Sequence, residues 1–100
     1  MRLINLNSTS ETEFVYIGRA VPAYGLPASA LGNPFTLEEY GREQAVELYR
    51  RWLWERIEAE DGDVLAALQA LNEESVLACW CTPEACHGDV VMAAWATINK

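Results

Sequence analysis

The sequence is poor in cysteine, in histidine and in long apolar runs. No stretch approaches the roughly 18 consecutive apolar residues of a membrane-spanning helix, and polar residues interrupt the N-terminal segment too early for a signal-peptide core. We therefore expect a cytoplasmic protein, and the formal charge of −8 argues against docking on an anionic membrane. The three cysteines all fall between residues 79 and 86. They are too close together for disulfide bonds to stabilise a whole fold. We therefore expect reduced thiols.

Basic residues are also scarce. Lysine and arginine number 7 against 15 aspartates and glutamates, and the formal charge is −8. This balance argues against a protein that binds the nucleic-acid backbone. Such proteins use many lysines and arginines to neutralise phosphates, which releases the bound counterions. The acidity is local, since residues 38–74 hold eleven acidic residues against four arginines while the rest of the chain is close to neutral.

The apolar patterns predict one folded unit with a short sheet. One hundred residues, 51% of them hydrophobic, have room for a single buried core, so we expect one domain over residues 1–100. Strand-forming runs occur at residues 3–6 and 14–17. Residues 75–81 are apolar on both alternating faces, which is typical of a central strand in a parallel sheet.

Helical patterns and one long loop complete the predicted architecture. A capping box at Thr36, helical spacing from Arg42 and over residues 64–71, and a start signal at Thr82 predict helices. Residues 20–35 contain prolines and glycines that prevent a helix or central strand, and such long loops are often binding segments. The expected fold is a small α/β domain, with a short, mainly parallel sheet flanked by about three helices.

All three thiols and the only histidine lie in one segment, where a predicted strand ends and a helix begins. The segment reads Cys79-Trp80-Cys81-Thr82-Pro83-Glu84-Ala85-Cys86-His87-Gly88. One interpretation is covalent catalysis, with Cys86 or Cys81 as the nucleophile and His87 as the base. A second is a zinc site of Cys79, Cys81, Cys86 and His87, whose ligand types fit although their spacing does not. A third is that the cysteines pack as small hydrophobic side chains.

Further positions are predicted to bind an anionic ligand. Gly18 and Arg19 follow the strand at 14–17, so in a parallel sheet they lie at the same edge as the cysteines and the histidine. Arg19 is a natural partner of a phosphate or carboxylate. The Asn33 amide could read a base or sugar edge, or it could only close the loop. Thr82 stands at a predicted helix start, where anions commonly bind.

These motifs occur together in a known family. The motif set consists of Tyr16-Ile17-Gly18-Arg19, Leu31-Gly32-Asn33-Pro34-Phe35 and Leu77-Ala78-Cys79-Trp80-Cys81, followed by Pro83 and Cys86-His87-Gly88. With this set the chain resembles the domain of unknown function 4326 family, whose members are bacterial and phage proteins. The resemblance covers nearly the whole chain. It implies one shared site at these positions and no particular activity.

The leading hypothesis is therefore a protein with one small-ligand site. We expect an anionic small molecule, such as a nucleotide or a nucleotide-derived metabolite, to bind beside Arg19, Asn33, Cys81, Cys86 and His87, and the residues leave open whether it reacts there. One alternative is a phage or bacterial interaction protein whose acidic helices block a basic host protein. Another is a zinc-stabilised structural domain, with zinc the one cofactor that the residues suggest.

Overall fold

Three short strands form one parallel sheet in the computed structural model, which describes residues 1–7, 13–80 and 86–99. The strands are β1 (Arg2–Asn5), β2 (Val15–Tyr16) and β3 (Val76–Cys79). β3 lies in the centre, between β1 and β2. Its residues from Leu77 to Cys79 are buried, which confirms the prediction of a central strand in a parallel sheet.

Four α-helices accompany the sheet in the part of the chain that the structure describes. They are α1 (Leu37–Tyr40), α2 (Arg42–Glu58), α3 (Gly62–Gln69) and α4 (His87–Ile98). The hydroxyl of Thr36 accepts a hydrogen bond from the backbone N–H of Glu39 at 3.2 Å, so it caps α1 as predicted. Gly41 separates α1 from α2 with a φ of 76°, a conformation that favours glycine. The predicted small α/β architecture is confirmed, with α1 as an additional single turn.

The core lies between the sheet and the helices. α2 contributes Ala45, Tyr49 and Leu53, which recur every four residues and are fully buried, as expected for the inner face of an amphipathic helix. They join Leu77 of β3 and Val91 of α4 in the interior. Among the residues described, no helix combines the length and apolar character needed to cross a membrane.

α4 begins with an unusual capping residue. The backbone of Cys86 is extended, with φ −139° and ψ 148°, and its sulfur accepts a hydrogen bond from the Gly88 N–H at 3.4 Å. The sequence predicts a start near Thr82, which lies outside the described residues, whereas the described helix starts at His87. Gly88 packs closely against β1, since an added Cβ would lie 2.6 Å from Cδ1 of Leu3 and the Leu3 side chain would have to shift.

Candidate functional site

A cavity of about 410 Å³ opens at the carboxyl edge of the sheet. The loop after β2, the beginnings of α1 and α2, the end of β3 and the start of α4 form its wall. Residues that the sequence predicts for the site line this cavity: Gly18, Arg19, Asn33, Cys79, Cys86 and His87. They meet because parallel strands end at one edge. Cys81 and Thr82 lie outside the described residues, so their roles remain predictions.

Arg19 is held in place by the loop that follows it. Its Nε and Nη2 atoms donate to the backbone carbonyl of Asn33 at 3.1 and 3.0 Å. The Asn33 side chain is used for the loop itself, because Oδ1 accepts from the Phe35 N–H at 2.9 Å and Nδ2 donates to the Ala45 carbonyl at 3.3 Å. Asn33 therefore positions Arg19, and its direct contact with a ligand remains a prediction.

Tyr16 and Trp80 form a hydrogen-bonded pair in the wall of the cavity. Trp80 Nε1–H donates to the Tyr16 hydroxyl oxygen at 3.0 Å, and that hydroxyl donates to the Arg19 carbonyl at 2.6 Å. Gly18 fits below the ring, since an added Cβ would lie 2.6 Å from Cζ of Tyr16. Both aromatic residues belong to the family motifs, but neither was predicted as a ligand-binding residue. Their positions at the carboxyl ends of two strands were the signal that could have identified them.

His87 and Cys86 approach each other at the start of α4. His87 Nε2 lies 2.6 Å from the carbonyl oxygen of Ile17. Because a carbonyl oxygen only accepts, Nε2 carries a proton, and Nδ1 can accept a proton when the ring is neutral. Nδ1 lies 3.7 Å from Cys86 Sγ. The extended backbone of Cys86 permits this approach, whereas consecutive residues within a helix point about 100° apart.

Two thiols also meet in this wall. Cys79 Sγ, at the end of β3, lies 3.2 Å from Cys86 Sγ, and both cysteines are buried. The Cys86 sulfur accepts the Gly88 N–H at the N-terminus of α4, where a thiolate formed by proton transfer to His87 would be stabilised. The arrangement can therefore supply a thiolate nucleophile with a neighbouring imidazole.

Tyr49 supports the site from below. Its ring lies edge-on to the His87 imidazole, with the centroids 5.0 Å apart and the planes at 78°. Its hydroxyl donates to the Leu31 carbonyl at 2.7 Å. Burial raises the pKa of Tyr49 well above its ordinary value, and the neighbouring charge on Cys86 adds to the shift. Tyr49 is therefore a neutral, fixed residue in the core beside His87.

The described residues do not form a metal-binding site. Within residues 1–7, 13–80 and 86–99, no group of three or more His, Cys, Asp or Glu side chains is arranged to hold a metal ion. The predicted zinc ligands Cys79, Cys86 and His87 are close together, but the fourth, Cys81, lies outside those ranges. The zinc site therefore remains a prediction.

The fold and the cavity define a small parallel α/β domain with a ligand-sized cleft at the carboxyl ends of its strands. The chain belongs to the family described as domain of unknown function (DUF4326), whose sequence profile matches residues 4–97. It is also similar to an uncharacterized protein of Acanthamoeba polyphaga mimivirus, with 29% identity over 107 residues, which cover 96% of this chain and 77% of the relative. No solved structure matches the chain significantly.

Proposed function

We propose that this protein binds an anionic small molecule, a nucleotide or a nucleotide-derived metabolite, in the cavity at the carboxyl edge of the sheet. The observation that carries the proposal is the guanidinium group of Arg19 held at a cavity that aromatic side chains also line. The cavity volume of about 410 Å³ falls within the range of roughly 300–1,000 Å³ that is usual for small-ligand sites.

Arg19 supplies the anion-binding group. The Asn33 carbonyl engages Nε and Nη2, which leaves further N–H groups of the guanidinium to donate to a phosphate or carboxylate. Because the side chain is already oriented by these two bonds, little rotamer entropy is lost when an anion binds.

Other lining residues favour a nucleotide over a simple anion. Tyr16, Phe35 and Trp80 line the cavity, and aromatic rings of this kind stack on nucleobases. Glu38 also lines it, and a carboxylate accepts hydrogen bonds from sugar hydroxyls as it does from the ribose of dinucleotides. A phosphate on Arg19, a base on the aromatic wall and a sugar hydroxyl on Glu38 together describe a nucleotide.

Most of the acidic excess lies away from this position, and Glu38 of α1 is the acidic residue that lines the cavity. α2 carries four glutamates and four arginines and is neutral, and the acidic excess lies in α1, at residues 60–63 and at residues 73–74. α2 begins beside the cavity, and its 17 residues extend about 25 Å. The acidic turn after α2 is therefore several Debye lengths away, at about 8 Å each in physiological salt. Docking on a basic host protein remains a prediction and would use these acidic segments.

Calorimetric titration with a panel of nucleosides and nucleoside mono- and diphosphates tests the proposal. We expect at least one phosphorylated member to bind and Arg19→Ala to weaken its binding about 10–100-fold, because hydrogen bonds to charged groups contribute about 1.5–3 kcal/mol. Arg19→Lys keeps the charge without the planar fork and should recover only part of the affinity.

Arg51→Ala is the matched control for the loss of one positive charge. Arg51 lies on α2 with its side chain 71% exposed, where it pairs with Glu47 at 3.6 Å, and it does not line the cavity. Its replacement should leave binding within about twofold, since exposed ion pairs contribute little. Absence of binding across the panel, or equal losses in the two alanine variants, would reject the proposed site.

The same cavity also supports a chemical step on the bound ligand. Cys86 would act as the nucleophile and His87 as the base, because their atoms lie 3.7 Å apart and the Gly88 N–H stabilises the thiolate. A Cys86→Ser variant should then bind the ligand but not transform it, as followed by chromatography of the ligand after incubation. Transformation at the wild-type rate by this variant would exclude Cys86 as the nucleophile.

A further inference from the structure

Cys79 and Cys86 are placed as a pair that can react with each other. Their sulfur atoms lie 3.2 Å apart, and a disulfide bond is about 2.05 Å long, so the two atoms need to approach by only about 1.1 Å. Each cysteine is 1% exposed, but both line the cavity. A small reagent that enters the cavity therefore comes next to both cysteines.

The backbone holds this pair in position. The Cys79 carbonyl accepts a hydrogen bond from the Leu6 N–H at 3.0 Å, and the Cys86 carbonyl accepts one from the Asp89 N–H at 3.1 Å. The first bond ties the end of β3 to the chain beyond β1, and the second belongs to the first turn of α4. Because both backbones are anchored, the sulfur atoms approach by small side-chain rotations.

We propose that Cys79 and Cys86 form a redox-active dithiol in the cavity wall, which a small hydroperoxide oxidises reversibly to an intramolecular disulfide. This inference does not depend on what the cavity binds. The sequence alone is equally compatible with zinc ligation by these two cysteines or with their packing as small hydrophobic side chains.

The chemistry balances with hydrogen peroxide as the oxidant. The Cys86 thiolate attacks one peroxide oxygen, the S–O bond forms as the O–O bond breaks, and the released hydroxide takes up the proton that Cys86 lost. The Cys79 sulfur then attacks the sulfenic sulfur, the S–S bond forms as the S–O bond breaks, and the second hydroxide leaves with the Cys79 proton. Two sulfurs lose two electrons in total, and the peroxide becomes two waters.

Cys86 is the attacking thiol for a structural reason. Its sulfur accepts the Gly88 N–H at 3.4 Å and lies 3.7 Å from His87 Nδ1, which is placed to take up the thiol proton as Cys86 attacks. Cys79 lies on a strand and has the adjacent Cys86 sulfur as its partner, so it acts as the resolving thiol. In a reducing compartment the disulfide would be transient.

Mass spectrometry of the folded wild-type chain, treated with a slight excess of hydrogen peroxide and then alkylated, tests this proposal. We expect the loss of two hydrogen atoms per chain, a peptide link between Cys79 and Cys86, and full reversal by dithiothreitol. The Cys81→Ser variant should form the same link at a similar rate, whereas Cys79→Ser and Cys86→Ser should not form it.

The wild-type chain in denaturant is the control that does not depend on any variant folding. There Cys86 should pair with Cys79 and Cys81 in comparable amounts, because the two loops have similar closure entropy. In the folded chain we expect at least a tenfold preference for Cys79. A folded chain that links through Cys81, that shows the denatured distribution, or that accumulates sulfinic acid on Cys86 without a link would overturn the proposal.

Discussion

The hydroxyl of Tyr49 connects the stability of the fold to pH, and replacing it by phenylalanine tests this connection. Tyr49 is fully buried, and its hydroxyl donates to the Leu31 carbonyl at 2.7 Å. Tyr49→Phe keeps the ring, and therefore the edge-on contact with His87. It removes only the hydrogen bond and the titrating group, which makes the two effects measurable in one variant.

At pH 7 the variant should be less stable than the wild type. The Leu31 carbonyl loses its buried donor, and an unsatisfied buried polar group costs about 1–3 kcal/mol. We expect the free energy of unfolding to fall by about 2 kcal/mol, which corresponds to roughly 8–16 °C in Tm for a domain of this size.

At alkaline pH the difference should shrink. Burial, together with the charge on Cys86, raises the pKa of Tyr49 in the folded state above its ordinary value of 10.0. Above pH 10 the unfolded chain therefore loses the Tyr49 proton while the folded chain keeps it, and the wild type loses about 1.4 kcal/mol of stability per pH unit from this group. The stabilisation is complete below pH 10. Near pH 11 the two proteins should differ by only about 0.6 kcal/mol.

Urea unfolding of both proteins between pH 7 and pH 11, in the presence of a reductant, measures this difference directly. Tyr24→Phe is the matched control, because Tyr24 is 71% exposed, and it should change stability by no more than about 0.5 kcal/mol throughout. A difference between wild type and Tyr49→Phe that stays constant over this pH range would refute the reasoning. So would a difference of less than about 0.5 kcal/mol at pH 7.

Two further substitutions test how α4 and α3 begin. Gly88→Ala should destabilise the protein by about 1–2 kcal/mol despite the better helix propensity of alanine, because the new Cβ would lie 2.6 Å from Cδ1 of Leu3. Adding Leu3→Ala should recover part of that loss in a double-mutant cycle, whereas additive losses in thermal unfolding would contradict the clash. Asp61→Ala should cost about 1 kcal/mol in urea unfolding, because the Asp61 side chain accepts two backbone N–H groups at 3.1 and 3.2 Å at the start of α3. Asp61→Asn keeps an acceptor oxygen there, so an equal loss in that variant would argue against the cap.

Local patterns were sufficient for the type and order of the elements. The apolar residues of α2 recur at helical spacing and those of β3 are consecutive, because an element must place apolar side chains on each face that it buries. The cap at Thr36 is equally local, since hydroxyl and amide are three residues apart. The order of the strands in the sheet cannot be predicted from local patterns. Neither β1 nor β2 contains a signal that both pair with β3 rather than with each other.

The cap of α4 is a feature that local signals do not indicate. Thr82 and Pro83, which form the start signal in the sequence, lie outside the described residues, and the described helix is capped by Cys86. A cysteine is a weak hydrogen-bond acceptor and carries no strong capping signal. Its role follows from the packing of α4 against the sheet, where Gly88 fits closely against Leu3.

The sequence by itself determined which residues could carry chemistry: an arginine after a strand, three cysteines in one segment and a single histidine. Only the tertiary structure decided how they face each other. Arg19 binds the Asn33 carbonyl fourteen residues away, and Trp80 donates to the Tyr16 hydroxyl sixty-four residues away. Such contacts depend on which strands are neighbours and where each helix begins. Periodicity within one element carries no information about either, because it reports burial and not the partner.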